Sequence, residues 1–388
     1  MTDLVDQVPP KRSDRGRHGG WGRAAKAFVG LSAAAMLLVG CGGEPANSDS
    51  EDRTVGSREE LLKLAEEEGS LNVQMSPPSD DDLQILLDGF MEKYPFIKAT
   101  GVHIGGSRGA AKYLTEVEGG AGREFDVGMV GLESIDRAAK YMDSWNVLDL
   151  TEKGILDIPV EMIDPETKGI VAQVSSAAAV LYNKELIDES DLPDDWFGFT
   201  DERFNRDNLG LVANVEAQND ACLVPALGED KTYEYVKGIA ALNPIWVDSQ
   251  NTGAQLVVQG EAAVYPLMNA HTANLVVAEA EASGNPVVAV KYIEPIPIRL
   301  TELQGIMDFS EHPHAALLWL EYVASEDVQK MWDEIAPPQT SIFSDYESPT
   351  SMLATVADRE TSIIDWKHIR DYPKYVQGII EAEGFPSV

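Results

Sequence analysis

Positive charge is scarce in this sequence. Of its 388 residues, 30 are Lys or Arg and 65 are Asp or Glu, and the formal net charge at pH 7 is -35. A charge this negative argues against binding to nucleic acid and against unaided binding to anionic lipid. It favours solubility. It also leaves a cationic ligand as one option, because the total charge does not determine the charge of a single pocket.

The apolar run near the N-terminus is too short to span a membrane. Residues 28–40 are rich in Ala, Leu and Val, but a membrane-spanning helix needs about 20 apolar residues. The basic residues that precede the run are Lys11, Arg12, Arg15, Arg17, Arg23 and Lys26. A basic segment followed by a short apolar one is typical of an export signal.

This export signal ends in Leu38-Val39-Gly40-Cys41, which resembles the lipobox of bacterial lipoproteins. The resemblance implies that residues 1–40 are a signal peptide and that a lipidated Cys41 is the first residue of the mature chain. An ordinary signal peptide with a chance cysteine is the alternative. Residues 41–56 are polar with almost nothing apolar, and we expect them to form a flexible tether.

Cysteine is also nearly absent, since Cys222 is the only other one. With Cys41 taken by the anchor, the mature chain contains no pair that could form an intramolecular disulfide, so the fold must depend on packing. Cys222 lies in the apolar stretch 221–224, which predicts a buried and unreactive thiol.

The mature chain has the order of elements that is typical of an α/β protein. A helix is predicted at residues 57–68, capped by Ser57 with Glu60 at the capping-box position. Strand, glycine turn, helix and strand then follow one another, which predicts a parallel sheet. A long amphipathic helix is predicted to begin at Pro313. The predicted strands are residues 70–75, 102–104, 126–130, 171–181, 209–215, 262–267 and 286–292.

Five groups of short motifs occur in order over about residues 57–340. They are 59–73, 105–127 with Gly105-Gly106-Ser107, 180–196 with Leu192-Pro193-Asp194-Asp195-Trp196, 254–264, and 312–329 with His312-Pro313-His314. Together they resemble extracellular solute-binding proteins of ABC importers, in the branch that includes ferric-ion, thiamine and aminoethylphosphonate binders.

The resemblance implies an α/β fold of the type II periplasmic-binding-protein kind, with two lobes joined by crossing hinge strands and the ligand between them. The expected division is a first lobe at 57–174, a second lobe at 175–287, a return to the first lobe at 288–340 and a C-terminal helical segment at 341–388. The implied partners are a small-molecule solute and the transmembrane subunits of an ABC permease. We expect a monomer on the outer face of a membrane, in the periplasm or at the cell surface, with no cofactor, no metal, no nucleic acid and no catalysis.

Residues that follow the strands of such a fold are expected to line the cleft. From the first lobe these are Ser76, Ser107 and Arg108. The crossover contributes Ser175, Ser176 and Tyr182, and the second lobe contributes Asp220, Tyr265, Asn269 and His271. Each could instead have a capping or core role.

The kind of solute depends most on residues 269–271. Ferric-ion binders of the resembled family share a pair of adjacent tyrosines near this place, where this chain has Ala270 and His271. Phenolates suit Fe(III) better than one imidazole does, so the departure weighs against iron. We expect a small polar or anionic solute, such as a phosphonate, held by Arg108, hydroxyls and backbone N–H groups. A ferric ion with an accompanying anion and a polyamine stay open as alternatives.

A different class of function is suggested by Gly105-Gly106-Ser107-Arg108-Gly109, which fits the nucleophile-elbow pattern between a strand and a helix. This makes a lipid-anchored serine hydrolase that uses Ser107 the alternative. The motif comes too early in the chain for most of a hydrolase sheet to precede it, and no downstream histidine is marked as the base.

Overall fold

The computed structural model describes residues 53–142 and 144–384. The predicted signal peptide, Cys41 and residues 41–52 of the tether lie outside the described residues. Within the described part of the chain, no helix is both long and apolar enough to cross a membrane.

The described residues form helices and strands that alternate along the chain. The helices are α1 (Arg58–Glu68), α2 (Asp80–Lys93), α3 (Gly106–Glu118), α4 (Ile135–Ala138), α5 (Val147–Glu152), α6 (Val224–Leu227), α7 (Glu229–Ala241), α8 (Gln250–Val258), α9 (Ala270–Ala282), α10 (Pro313–Ala324), α11 (Glu326–Ile335), α12 (Met352–Val356) and α13 (Tyr372–Ala382). The strands are β1 (Ser70–Met75), β2 (Lys98–His103), β3 (Val127–Val130), β4 (Val171–Asn183), β5 (Val212–Asn214), β6 (Ile245–Val247), β7 (Val264–Asn269), β8 (Val288–Lys291), β9 (Ile296–Ile306) and β10 (Thr361–Ile364).

Local signals define the ends of the first helix as predicted. The Ser57 hydroxyl accepts a hydrogen bond from the N–H of Glu60 at 3.1 Å, and the Glu60 carboxylate accepts one from the N–H of Gly56 at 2.8 Å. Gly69 ends α1 with a φ of 62°, a left-handed conformation that glycine adopts without a steric penalty.

The main sheet has the order β2-β1-β3-β9-β4-β7, with β10 beside β9 and β8 beside β4. Strands β1, β2 and β3 are parallel, and we use the name first lobe for them and the helices packed on them. We use the name second lobe for β7, β8 and the parallel pair β5–β6 with their helices. An isolated parallel bridge between Leu211 and Val264 connects this pair to β7.

Two long antiparallel strands join the lobes. Strand β9 pairs with β3 of the first lobe at one end, from Leu303 to Ile306, and with β4 along its middle. Strand β4 pairs with β9 up to Ala177 and then with β7 and β8 of the second lobe. Among the described residues, the strand pairing therefore continues from one lobe to the other through these two strands, which form the predicted crossing. Sequence reasoning missed β9 entirely.

The first lobe has an aromatic core beneath α10. The Phe90 ring lies 5.2 Å from the Trp319 ring and 5.5 Å from the Tyr322 ring, measured between centroids. The prediction of an amphipathic α10 is wrong, since every residue from Ala315 to Ala324 is buried. Even Glu321 is inside, where its carboxylate accepts two hydrogen bonds from Arg58 of α1 at 2.6 and 2.7 Å.

The C-terminal segment contains more than helix. Strand β10 pairs in parallel with β9, and α13 packs against α7 of the second lobe. Between them, the Trp366 indole donates to the carbonyl of Glu161 at 2.7 Å, and Arg370 forms a bidentate pair with Asp164 at 2.9 and 2.6 Å. The segment therefore contacts the loop before β4 as well as the second lobe.

Candidate ligand-binding cleft

A polar cavity of about 450 Å³ lies between the two lobes. Its walls come from residues that follow β1, β2 and β3 of the first lobe and β5, β6 and β7 of the second. Its floor is formed by the crossing strands, through Ser176 of β4 and through Arg299, Thr301 and Glu302 of β9. The carboxyl ends of parallel strands are where α/β proteins bind their ligands, so the position of this cavity agrees with a binding cleft.

Acidic side chains outnumber basic ones around the cleft. The charged residues that line it are Arg108, Glu133, Glu216, Asp248, Arg299 and Glu302. One imidazole, His271, and several hydroxyls lie among them. The lining therefore offers both hydrogen-bond donors and acceptors, with an excess of negative charge.

Six of the predicted residues line the cleft: Ser76, Ser107, Arg108, Ser176, Asn269 and His271. The Ser76 hydroxyl accepts a hydrogen bond from the N–H of Gly106 at 2.9 Å, which holds the end of β1 against the start of α3. The N-cap residue of α3 is Gly105, which has no side chain that could cap the helix. The first-turn N–H groups of Ser107 and Arg108 therefore have no acceptor in the helix itself and can donate to a ligand.

Two buried polar atoms of the cleft lack a hydrogen-bond partner among the described residues. They are the hydroxyl oxygen of Ser176, a residue only 4% exposed, and Nδ1 of His271. Burial, together with the positive charge of the nearby Arg299, lowers the pKa of His271 to about 4, so the imidazole is neutral at pH 7. Unpartnered buried polar groups are rare in folded proteins, and both fit a ligand that supplies the missing bonds.

The remaining four predicted residues do not line the cleft. Ser175 precedes Ser176 and points to the opposite face of β4, where its hydroxyl accepts from the N–H of Ile342 at 3.1 Å. The Tyr182 hydroxyl donates to Glu189 at 3.3 Å, beyond the cleft, and the Tyr265 hydroxyl accepts from Asn214 at 3.2 Å in the second lobe.

Asp220, the fourth of these residues, lies behind the cleft. It lines a small cavity together with Tyr235, Tyr265 and Glu383, which follows α13. Burial raises the pKa of both Asp220 and Glu383, and the negative charge of Asp220 raises that of Glu383 further. Two carboxyl groups in one buried place resist being charged together.

Arg108 is already paired with an acid of the other lobe. Its guanidinium lies 2.5 Å from the Glu216 carboxylate, and the Arg108 side chain is 68% exposed. The Gln218 side-chain amide donates to Glu133 at 3.0 Å and makes a second contact between the lobes. The Arg108 guanidinium, which was predicted to bind an anion, therefore lies at the cleft but is already paired with the Glu216 carboxylate.

Arg299 of β9 was missed by sequence reasoning and lies at the centre of the floor. Its guanidinium donates to the side-chain oxygens of Gln218 at 3.2 Å and Asn269 at 3.5 Å, and it also bonds to Tyr372. Tyr372, the first residue of α13, donates its hydroxyl to the carbonyl of Gln218 at 3.0 Å. A guanidinium has five N–H donors, so some of those on Arg299 can still bind a ligand.

Glu302, also on β9, is the second residue that was missed. It is only 5% exposed, and its carboxylate accepts one hydrogen bond, from the N–H of Ser76 at 3.0 Å. Its φ of 50° lies in the left-handed region, which is unusual for a residue other than glycine and rarer still within a strand. Burial raises the pKa of Glu302 to about 7.

Among residues 53–142 and 144–384, no group of three or more His, Cys, Asp or Glu side chains could hold a metal ion. Cys222 is buried and free, in agreement with the inert thiol expected from its apolar neighbours. Burial raises the pKa of its thiol to about 12.

Comparison with known proteins identifies the family. The family profile described as "Bacterial extracellular solute-binding protein" matches residues 76–330. The chain belongs to this family. Its members bind small-molecule solutes and deliver them to ABC permeases, and the family is one of transport proteins, not enzymes.

Solved structures agree on the fold, which is that of type II periplasmic binding proteins. Iron-bound HitA from Pseudomonas aeruginosa has a TM-score of 0.60 and 14% identity, over 81% of this chain and 99% of that one. The Trichodesmium protein IdiA (FutA), in complex with iron and citrate, has a TM-score of 0.60 and 18% identity, over 82% and 100%. The ferric binding protein from Campylobacter jejuni has a TM-score of 0.63 and 17% identity, over 81% and 100%. No curated protein matches the chain.

The serine-hydrolase alternative is wrong for this solute-binding protein, since the family and fold are those of transport proteins. The local geometry also differs from a nucleophile elbow, in which the serine itself sits in the strained turn. Here Gly106 has the positive φ, 54°, and Ser107 is an ordinary residue of the first turn of α3.

Proposed function

We propose that this chain is the lipid-anchored receptor of an ABC importer and that it captures a small solute with an anionic group in the cleft. The proposal depends on one observation about Arg299. Its guanidinium is largely enclosed, lies on a crossing strand and has N–H donors that are not used by the protein. Ser176, opposite Arg299 in the strand register, adds an unpartnered hydroxyl. The open N–H groups at the start of α3 supply a third set of donors from the first lobe.

The positions of these donors explain how a bound solute would close the cleft. A solute on the floor of the cleft contacts both lobes, so it binds the closed form more tightly than the open form and shifts the population towards it. The permease would then recognise the closed form. Micromolar affinity corresponds to about -8 kcal/mol, which several charge-assisted hydrogen bonds in an enclosed cleft can supply.

The anchor is proposed from the sequence, with Cys41 carrying the lipid and the mature protein on the outer face of a membrane. Mass spectrometry of the N-terminal peptide from the membrane fraction should give a lipid-modified Cys41. Replacing Cys41 with Ser should release the protein into the soluble fraction. An unmodified mature chain that begins elsewhere would contradict this part of the proposal.

A thermal-shift screen tests the binding function. We expect stabilisation by at least one small anion or zwitterion among phosphonates, carboxylates and amino acids, and we expect Arg299→Met to abolish it. Thiamine and sugars should be included as further solutes. If none of these solutes stabilises the protein and Arg299→Met changes nothing, the proposed solute class is wrong.

A ferric ion is the second candidate, because three structurally similar proteins are described as ferric-binding or iron-bound. The same screen should therefore include ferric ion with and without citrate, and spermidine as a polyamine. Stabilisation by ferric citrate, but not by citrate alone, would favour this candidate over an organic anion.

A further inference from the structure

We propose that Glu302 determines the class of solute by binding its ammonium group, so that the ligand is a zwitterion whose anionic group is held by Arg299. This inference rests on the receptor function proposed above. The sequence suggested a polar or anionic solute, and the inference adds that the solute must also carry a cationic group.

The first argument is the geometry of Glu302. Its side chain is almost fully buried but lines the cleft, and only one of its two carboxylate oxygens has a hydrogen-bond donor in the described part of the chain. That donor is the backbone N–H of Ser76, a neutral group. The left-handed backbone of Glu302 is maintained within a strand where most residues have extended geometry.

The second argument is the pairing of charges around the cleft. Arg108 is bound to Glu216, and Arg299 is surrounded by oxygen acceptors from Gln218, Asn269 and Tyr372. Glu302 has no cationic partner among the described residues, and its burial raises its pKa to about 7. A buried carboxylate needs a compensating charge, and an ammonium group of the solute would provide it.

The third argument is the position of the two opposite charges. Arg299 and Glu302 are three residues apart on β9, which places their backbones roughly 10 Å from each other along the strand. Both side chains reach the same cavity, so one small molecule can contact both. A polyamine fits less well, because its second ammonium group would approach Arg299.

The test uses matched pairs of solutes on the full-length protein, with binding measured by titration calorimetry. Each zwitterion is compared with an analogue that lacks the amine: β-alanine with propionate, 4-aminobutyrate with butyrate, and 2-aminoethylphosphonate with ethylphosphonate. We expect at least one zwitterion to bind about 10- to 100-fold more tightly than its partner, as a charge-assisted hydrogen bond would give.

Glu302→Gln should remove this preference while the affinity for the amine-free partner changes by less than about threefold. Glu302→Asp keeps the carboxylate and should retain part of the preference. Glu66→Gln, an exposed change on α1, is the matched control and should behave as wild type. Circular dichroism and melting curves establish that each variant is folded before its affinities are compared.

Three results would overturn the inference. In the first, every zwitterion tested binds to the wild-type protein no more tightly than its amine-free partner. In the second, Glu302→Gln is folded but lowers the affinity for the zwitterion and for its amine-free partner by the same factor. Glu302 would then be a positioning residue for Ser76. In the third, the screened anions or ferric citrate bind but no zwitterion does, and this leaves the receptor function intact. If no solute of any class binds, the result counts against the proposed function as well.

Discussion

The guanidinium of Arg108 in α3 lies 2.5 Å from the carboxylate of Glu216, which follows β5, and so connects the first lobe to the second. The hydrogen bond from Gln218 to Glu133 also spans the cleft walls. The Arg108 side chain is exposed to water, where an ion pair contributes little. Such a contact can open and close at small cost, which suits the closure of the lobes that we propose.

Arg108→Ala should favour the open form without abolishing binding. Since exposed ion pairs contribute up to about 1 kcal/mol, we expect the affinity for a bound solute to fall by no more than about fivefold. The radius of gyration of the free protein, measured by small-angle scattering, should increase.

The matched control for this variant is Arg137→Ala, which removes an ion pair with Glu118 inside the first lobe. It should change neither the affinity nor the radius of gyration. Complete loss of anion binding in Arg108→Ala alone would mean that this guanidinium contacts the solute directly, as the sequence predicts.

Arg299→Lys should weaken solute binding far more than Arg108→Ala does. A lysine keeps the positive charge but has no forked set of donors. It cannot donate to Gln218 and Asn269 and also to a ligand in the way that Arg299 can. We expect affinity to fall about 10- to 100-fold in titration calorimetry. Arg206→Lys, at an exposed position of the second lobe, is the control and should bind normally. Equal affinities in the two variants would remove Arg299 from the binding site.

The buried acids Asp220 and Glu383 should make stability depend on pH. Burial raises the pKa of both carboxyl groups above the values near 4 of an unfolded chain, so the folded state holds more protons than the unfolded state. Their contribution to the free energy of unfolding is therefore greatest at low pH and declines as the pH rises from about 4 through neutrality. Asp220→Asn should have a similar melting temperature to wild type at pH 5 and a higher one at pH 8, by several degrees.

The control for the pH experiment is Asp207→Asn, an exposed change in the second lobe. Its melting temperature should follow that of the wild type at both pH values. If Asp220→Asn is no more stable than wild type at pH 8, burial does not raise the pKa of Asp220 in the folded protein.

Arg370→Met should destabilise the protein strongly. Arg370 is the bidentate partner of Asp164, a fully buried carboxylate that also accepts hydrogen bonds from Thr167. Burial by itself raises the pKa of Asp164, but the bonds from Arg370 and Thr167 lower it overall, so the group is charged at pH 7. Removing one partner of a buried pair costs about 3–5 kcal/mol, measurable as a lower midpoint of urea unfolding.

Lys374→Met provides the comparison on the same segment, because Lys374 pairs with Glu229 at the exposed surface. We expect it to change the free energy of unfolding by less than about 1 kcal/mol. Similar losses in the two variants would show that the Asp164–Arg370 pair does not tie the C-terminal segment to the rest of the chain.

Much of the secondary structure was predictable because its signals are local. The Ser57 cap and Gly69 define α1, and the short apolar run after Gly69 forms β1 over the predicted residues. The rule that cleft residues follow strands located Ser76 and Asn269, and the same rule applied to β5 would have found Glu216 and Gln218. Such signals act over a few residues, so they do not depend on how the lobes are arranged.

Strand β9 was missed because its sequence does not look like a strand. Pro297, Arg299 and Glu302 interrupt the alternation of apolar and polar residues, and most residues on both faces of the strand are buried. Its two charged residues were therefore never considered for the site. Tyr372 was missed for a related reason: it belongs to a segment that was expected to contribute only helix.

The sequence alone was enough to predict the α/β organisation, the family resemblance and an export signal with an anchor at Cys41, because each of these predictions depends on residues close together in the chain. The tertiary structure decided which polar groups meet. It turned Ser176 towards the cleft and Ser175 away from it, paired Arg108 with Glu216, and placed Arg299 and Glu302 on the floor. These outcomes depend on burial and on contacts between distant parts of the chain, which neither composition nor periodicity specifies.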